Sequence, residues 1–431
     1  MSDPLFADLD PRDASDGCDD HAPRYETANR QQVELQPCDL EALLPPGHAA
    51  RLVWRFVDGL DLKAFYAAIR AREGRAGRPA IDPKILIALW LYATLDGVGS
   101  AREVDRLCYA HDAYRWLRGG VSVNYHTLSD FRVGHQAALD GLLTQSIAVL
   151  LQRGIVTMAR VAHDGTRVRG SAGTGSFRRG ETLQECLQQA QKQVARTAKQ
   201  TDAPVNARAE AAQRRAAADR LARVEEALAQ LPEVEAVKQR QKGKRRREAR
   251  VSTTDPDARV MKMADGGFRP AYNVQLATDV ASRVIVGVMT TNVGSDRAAL
   301  LPMLDALEHR TGRRPDAHLV DGGYFKKDAI TAAAAQGVTV YLPLSEAPAP
   351  PKKGEPAALA AWRARMRTDE GKQIYKDRAA TAEWVNADGR AHRTLDQIPV
   401  RGLGKIQTWA LWIALAHNMI RTMEIIPHLM T

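Results

Sequence analysis

Two apolar runs of the sequence each end in an aspartate that is followed by glycine. The first run, residues 154–162, leads through His163 to Asp164, and the second, residues 317–320, leads to Asp321. A strand that ends in Asp-Gly lifts a carboxylate clear of a sheet edge, and glycine lets the backbone approach a ligand closely. For either aspartate alone, a turn residue after a strand is the more common interpretation. The two aspartates therefore indicate a catalytic metal site only if the chain supplies a third carboxylate and a way to hold DNA.

Helical and extended patterns alternate around these two aspartates. In chain order they predict a strand over residues 156–164, helices over 178–250, strands over 259–263, 271–278 and 284–289, a helix over 295–307, a strand over 319–321, a helix over 327–335, a strand over 338–343, and helices over 375–385 and 406–423. Adjacent antiparallel strands followed by alternating helix and strand form a mixed α/β layer. This order resembles the ribonuclease H-like fold.

Composition limits the class of protein. The chain has 431 residues, for which two or three domains are expected, and a formal net charge of +10, which suggests a polyanionic partner. The four cysteines are scattered without a Cys-x-x-Cys pair, so a zinc ribbon is not expected. We expect them to be reduced thiols in a cytoplasmic protein. Neither a signal peptide nor an apolar run of membrane-spanning length is visible.

The residues before the first aspartate divide into an acidic tail and a helical region. Residues 1–30 are Asp-rich, which predicts disorder, and residues 31–150 have helical patterns with cap signals at Asp82 and Ser100. Short helices with tight turns, the last one polar, resemble a helix-turn-helix DNA-binding module. A small helical bundle without a nucleic-acid role is the alternative. The candidate DNA contacts are Asn124, His126, Ser129, Arg132 and His135.

A basic insertion separates the two aspartates. Residues 178–250 hold 18 Lys/Arg against 10 Asp/Glu, and leucine and valine recur in them every three to four residues, which predicts a long helical hairpin. Its last part carries Lys244, Arg245, Arg246 and Arg247. Such a run is often a solvated charged tail, but beside a phosphodiester site it would bind phosphates. We expect this insertion to emerge beside Asp164, within a domain that covers residues 151–431.

A third carboxylate would complete a site for metal-dependent phosphodiester chemistry. Two Mg²⁺ ions about 3.5–4 Å apart activate the attacking oxygen and neutralise the transition state, and they prefer carboxylate ligands. On a helix, Tyr375, Arg378 and Ala382 share one face with Glu383 beside it. Periodicity does not decide between Glu383 and Asp377 as the third carboxylate. We interpret Asp296 as part of a helix cap, Asp279 and Asp265 as turn residues, and His163 as a packing residue.

Taken in order, these motifs resemble an insertion-sequence transposase of the DDE superfamily, in the bacterial branch whose third carboxylate lies in a Tyr, Arg, Glu, Lys signature. The resemblance covers about residues 30–425. The matching stretches are residues 78–83, 95–102, 114–120, 163–166, 320–324 and 416–421, together with Tyr375, Arg378 and Glu383 in the order of the signature. Each motif alone is weak, and the complete order is strong.

The resemblance implies a function and a set of roles. Asp164, Asp321 and Glu383 would be the catalytic metal ligands for two Mg²⁺ ions, with Mn²⁺ as a substitute. Tyr375 and Arg378 would position the transposon end. The signature's lysine is replaced by Arg390, which keeps the charge but not the geometry of a lysine.

The implied reaction is hydrolysis at the transposon end followed by attack of the freed 3′-OH on target DNA. The partners would be terminal inverted repeats, target DNA and a second copy of the chain in a DNA-bound dimer, in the bacterial cytoplasm at the nucleoid. The alternatives are a catalytically inactive DNA-binding repressor derived from a transposase, and another nuclease of the same fold. The intact carboxylates count against the first. The long helical module and the basic insertion count against the second.

Overall fold

Helices fill the N-terminal part of the chain in the computed structural model, which describes residues 28, 31, 33, 37–71, 74, 79–198, 207–240, 248–344 and 354–426. These helices are α1 (Ala49–Asp58), α2 (Lys63–Ala67), α3 (Pro83–Leu95), α4 (Ala101–Ala110), α5 (Asp112–Arg118), α6 (Tyr125–Gly134) and α7 (Gln136–Gln152). The predicted caps are confirmed. The side chain of Asp82 accepts a hydrogen bond from the backbone N–H of Lys84, and Ser100 accepts one from Glu103.

A mixed sheet and its covering helices follow. The elements are β1 (Arg160–Arg169), β2 (Phe177–Arg178), α8 (Gly180–Ala198), α9 (Ala207–Gln239), β3 (Val251–Ser252), β4 (Arg259–Lys262), β5 (Phe268–Asp279), β6 (Ile285–Thr291), α10 (Leu300–Thr311), β7 (Ala317–Leu319), α11 (Lys327–Ala335), β8 (Thr339–Tyr341), α12 (Ala357–Arg367), α13 (Asp369–Arg378), α14 (Trp384–His392) and α15 (Leu403–Ile425). A π-helical turn, Ala379–Glu383, joins α13 to α14.

The main sheet combines antiparallel and parallel pairing. Its order is β4-β5-β1-β7-β8, with β6 also paired to β5. Strand β5 is antiparallel to β1, β4 and β6, whereas β7 runs parallel to β1 and β8 runs parallel to β7. This topology confirms the mixed α/β sheet of ribonuclease H-like type that the sequence predicts. The turn between β5 and β6 is also the predicted one, because Asp279 accepts hydrogen bonds from the N–H and hydroxyl of Ser282.

Strand β1 differs from its prediction. The pattern over residues 156–164 predicts a strand that ends at Asp164, but β1 covers Arg160–Arg169. Pairing with β5 continues past the aspartate, and Gly165 stays in the ladder opposite Gln275. The glycine therefore does not end the strand. We correct the expectation accordingly: Asp164 lies in the middle of β1 and not at its end.

The insertion forms the two helices that the sequence predicts. Helices α8 and α9 pack on each other through a small apolar cluster that includes Leu183, Ala227 and Leu231. Strands β2 and β3 form a two-stranded ribbon at their base. The ribbon follows shortly after the end of β1, so the insertion leaves the main sheet at the C-terminal end of that strand.

Helix α15 joins the helical region to the sheet. Its residues are mostly apolar, and from Ile406 to Met419 all except the half-buried Gln407 are buried, which is typical of a central helix. One continuous core contains residues of α3, α6, α7, α15, β1, β5 and β6, and Trp412 of α15 donates a hydrogen bond to the backbone oxygen of Arg132 in α6. The described residues from Leu40 onward form one compact unit. Within the described part of the chain, no helix is both long enough and apolar enough to cross a membrane.

Candidate active site

Asp164 and Asp321 lie at the same level on neighbouring strands. The parallel pairing between β1 and β7 ends where Ala162 pairs with Leu319. Each aspartate follows that last pair by two residues, and from there on the β7 side of β1 is open for other groups. The end of a parallel pairing is where α/β sheets place ligand-binding residues. The strands therefore bring the two predicted carboxylates together, although only one of them ends a strand.

The carboxylate of Asp164 is held in an unfavourable environment for a charge. Burial raises its pKa to about 6, the charge of Arg378 opposes this shift, and the nearby carboxylates of Asp321 and Asp296 add to it. Hydrogen bonds also support the ionised form: the backbone of Gly165 donates to the carboxylate, and Asn386 donates from Nδ2 to Oδ2 of Asp164 over 3.1 Å. Asp164 therefore titrates within the range where enzymes work, and a nearby positive charge stabilises its anion.

Glu383 shares a guanidinium with Asp164. Nη2 of Arg378 lies 3.3 Å from Oε1 of Glu383, and Nη1 of the same side chain lies 3.8 Å from Oδ2 of Asp164. In a regular α-helix, residues five apart point about 140° away from each other. The π-helical turn widens the spiral over these five residues, so that Glu383 stays on the same side of the helix as Arg378.

Asp377, the other candidate for the third carboxylate, lies elsewhere. Its Oδ2 accepts a 2.8 Å hydrogen bond from Nη1 of Arg160, at the start of β1. This ion pair connects α13 to β1 outside the group formed by Asp164, Arg378 and Glu383. The geometry therefore favours Glu383, whose side chain is 59% exposed and free to approach a ligand.

Asp296 belongs to the same site, which the sequence did not indicate. Of the helix cap predicted at Ser295-Asp296, the side chain of Ser295 makes the capping hydrogen bond, and Asp296 does not act as the cap. Oδ1 of Asp296 accepts two hydrogen bonds of 2.7 Å, from Nδ2 of Asn273 and from Nε2 of Gln275 on β5. This buried cluster lies directly under Gly165, where an added Cβ would overlap all three polar side chains. Glycine at this position is therefore required by packing rather than by a turn.

Several neighbours of this polar cluster complete the wall of the site. Tyr324 donates a hydrogen bond to Oε1 of Gln275, and its ring packs edge-on against His163, which is fully buried as predicted. On the far side, Nη2 of Arg167 lies 3.5 Å from Oδ2 of Asp296. The only sequence signal for the cluster is the alternation of polar residues along β5, and that pattern normally indicates an exposed face.

The residues predicted to contact DNA have different surroundings. Arg390 is exposed and donates a hydrogen bond to the hydroxyl of Thr166, two residues beyond Asp164. The hydroxyl of Tyr375 accepts a 3.2 Å hydrogen bond from Nε of Arg378. Asn124 caps α6 by accepting from the N–H of Thr127, and His126 is exposed on that helix. Lys244, Arg245, Arg246 and Arg247 lie outside the described residues.

Arg132 is among the residues predicted to contact DNA, and the structure contradicts this prediction. Its side chain is buried, its guanidinium lies 4.6 Å from the ring centroid of Trp90, and Nη1 donates to the backbone oxygen of Gly99. A cation that stacks on a buried indole and bonds a carbonyl holds helices together. It cannot reach a phosphate at the surface, so Arg132 is a packing residue and not a DNA contact.

Two parts of the chain match families of known proteins. Residues 38–134 match the family described as Transposase domain (DUF772), and residues 235–419 match the family described as Transposase DDE domain. The second match includes Asp321 and Glu383, whereas Asp164 lies between the two matched ranges. Neither the curated proteins nor the solved structures contain a significant match to the chain.

Proteins with a DDE domain typically use divalent metal ions, and the donor groups here fit such an ion in type. Carboxylate oxygens are the ligands that Mg²⁺ and Mn²⁺ prefer. Burial is the main cause of the raised pKa of Asp164, and a bound cation would offset both this burial and the smaller repulsion from Asp321 and Asp296. Among the described residues, however, no three His, Cys, Asp or Glu side chains converge closely enough to hold an ion. Between Asp164 and Glu383, the guanidinium of Arg378 provides positive charge instead.

Proposed function

Since this chain belongs to the DDE transposases of insertion sequences, we propose that it cuts DNA at the ends of its element and joins the freed ends to target DNA. The observation that carries the proposal is the placement of Asp164 and Asp321 at one level of β1 and β7, with Glu383 linked to Asp164 through Arg378. Water attacks the phosphodiester bond at the transposon end, and the freed 3′-OH then attacks the target strand. No side chain forms a covalent bond to DNA in this scheme.

Asp164, Asp321 and Glu383 would hold the metal ions. When bound, two Mg²⁺ ions, or Mn²⁺ in their place, supply an attacking oxygen that is deprotonated near neutral pH and neutralise the charge of the in-line transition state. The protein's own contribution is to fix the carboxylates. Asn386 orients Asp164, and the N–H of Gly323 donates a 2.8 Å hydrogen bond to Oδ1 of Asp321.

Three side chains beside the carboxylates would bind the DNA end. The guanidinium of Arg378 lies beside Glu383 and is supported by Tyr375, and that of Arg390 lies beside Thr166, two residues after Asp164. A guanidinium binds a phosphate through two parallel hydrogen bonds, which fixes the strand as well as attracting it. These residues would set the position of the scissile phosphate against Asp164.

Other parts of the chain would bind DNA away from the cut. The exposed residues Asn124 and His126 of α6, and the basic segment 244–247, are our candidates, and the net charge of +10 favours a polyanion. Two copies of the chain would act on the paired ends as a dimer, at the nucleoid in the cytoplasm. We retain residues 31–150 as the DNA-binding region and residues 151–431 as the catalytic region of this proposal.

A cleavage assay tests the function. The substrate is linear DNA that contains the sequences directly flanking the coding region, incubated with the full chain and Mg²⁺ or Mn²⁺. We expect strand breaks at the element's ends and joined products with target DNA, and we expect Asp321→Asn to abolish both. The matched control is Asp265→Asn, which alters an exposed turn aspartate paired with Arg269. Full cleavage by Asp321→Asn would exclude this assignment of the site.

A further inference from the structure

Arg378 occupies the space between the first and third carboxylates. Its Nη1 faces Asp164 and its Nη2 faces Glu383, while Nε is held by the hydroxyl of Tyr375. The guanidinium is largely enclosed, with a side-chain exposure of 12%. One planar cation therefore contacts two of the three carboxylates that the proposed function assigns to metal ions.

The contacts of Arg378 are incomplete. Nη1 is buried and has no hydrogen-bond partner among the described residues, because its 3.8 Å approach to Asp164 is too long for a hydrogen bond. A buried donor without a partner costs free energy. The position between the carboxylates is therefore held by charge attraction rather than by optimal geometry, and a better acceptor such as a phosphate would draw the guanidinium away.

We propose that Arg378 is an exchangeable counter-cation: it neutralises Asp164 and Glu383 until a divalent cation takes that role, and the released guanidinium then binds the phosphate of the DNA end. This inference rests on the proposed function and adds regulation to it. It explains why the carboxylates do not converge while Arg378 lies between them. It also predicts that cation binding and DNA binding strengthen each other, since both favour the same displaced position of one side chain.

The test measures binding of Mn²⁺ to the full chain without DNA, by electron paramagnetic resonance of the free ion. Loss of a DNA-contacting arginine would ordinarily leave cation affinity unchanged. If Arg378 competes with the cation, Arg378→Gln binds Mn²⁺ more tightly than the unmodified protein, by about fivefold or more. Arg378→Lys gives a smaller increase, because a single ammonium cannot contact both carboxylates at once.

The matched control is Arg160→Gln. This change removes the same charge from another ion pair between β1 and α13, with Asp377 as the partner at 2.8 Å. We expect it to change Mn²⁺ affinity by less than about twofold, because Asp377 is outside the site and exposed charges are screened. Combining Arg378→Gln with Asp164→Asn should reduce the gain, since Asp164 is one of the two carboxylates for which the guanidinium and the cation compete.

The outcomes separate this inference from the proposed function. If neither the unmodified protein nor Arg378→Gln binds Mn²⁺, the metal site of the proposed function fails. If the unmodified protein binds Mn²⁺ and a folded Arg378→Gln binds it equally or less tightly, the counter-cation role alone is overturned. If Arg378→Gln does not fold, the Arg378→Lys variant decides by the same comparison. In the unmodified protein, bound Mn²⁺ should increase the affinity for DNA, and bound DNA should increase the affinity for Mn²⁺. Both increases should be smaller in Arg378→Lys, and their absence from the unmodified protein would contradict the exchange.

Discussion

Asn386 and Asp164 are joined by a 3.1 Å hydrogen bond between Nδ2 of the amide and Oδ2 of the carboxylate. Asn386 is buried on α14, one turn after Glu383 at the end of the π-helical turn, so one continuous stretch of helix carries the proposed third carboxylate and the residue that hydrogen-bonds to Asp164. Oδ1 of Asn386 is buried without a hydrogen-bond partner among the described residues. The amide orientation is therefore determined by its contact with Asp164.

Replacing this asparagine tests its positioning role. Asn386→Ala should lower DNA cleavage by about 10- to 100-fold, because residues that orient metal ligands have effects of this size. The melting temperature should change little, since a single hydrogen bond contributes about 1 kcal/mol. As a control, Asn292→Ala removes an amide that donates to a backbone oxygen of Asp257 away from the site. Equal losses of activity in both variants would contradict a specific role for Asn386.

The raised pKa of Asp164 has consequences for activity and for stability at different pH. Because ligands must be ionised to bind a cation, we expect the cleavage rate to fall about tenfold per pH unit below the pKa of about 6. The measurement is the rate of end cleavage between pH 4.5 and 8 at one fixed Mn²⁺ concentration below saturation, so that protons and the cation compete for the carboxylate. A flat profile across this range would contradict the assignment.

The free energy of unfolding of the metal-free protein should change with pH in the opposite direction to the cleavage rate. The folded-state pKa lies above the ordinary value of 3.8, so the unfolded chain loses its proton first as pH rises. Asp164 is neutral in both states below pH 3.8 and destabilises the fold increasingly up to about pH 6, by up to about 3 kcal/mol. Asp164→Asn should therefore raise the melting temperature of the metal-free protein at pH 8 but not at pH 4.

Asp296 contributes to the same titration. Its carboxylate is one of the charges that raise the pKa of Asp164, so Asp296→Asn should shift the acid limb of the cleavage profile to lower pH, by a few tenths of a unit up to about one unit. A purely structural role would lower the rate at every pH without moving the limb. Asp255→Asn is the control, because Asp255 is another buried aspartate and accepts a hydrogen bond from the hydroxyl of Tyr272 elsewhere in the fold.

Sequence periodicity predicted the strands and most helices but not the way in which they form the site. The apolar run before Asp164 located β1, yet its true end depends on pairing with β5, a partner more than a hundred residues away. Helical spacing placed Ala382 rather than Glu383 one turn after Arg378, because a π-helical turn cannot be inferred from a 3.6-residue repeat. Asp296 was missed for a similar reason, since its amide partners lie on another strand.

The shared core predicts that the helical region and the sheet unfold together. Trp412 is almost completely buried in α15 and donates to the backbone of Arg132 in α6, so it connects the two regions. Trp412→Ala should lower the free energy of unfolding by about 3–5 kcal/mol and should leave a single calorimetric transition for residues 40–431. The matched control, Trp384→Ala, removes a tryptophan that is 40% exposed and should cost less than about 1 kcal/mol. Two separate transitions, with only one of them shifted by Trp412→Ala, would show instead that the N-terminal helices fold as an independent domain.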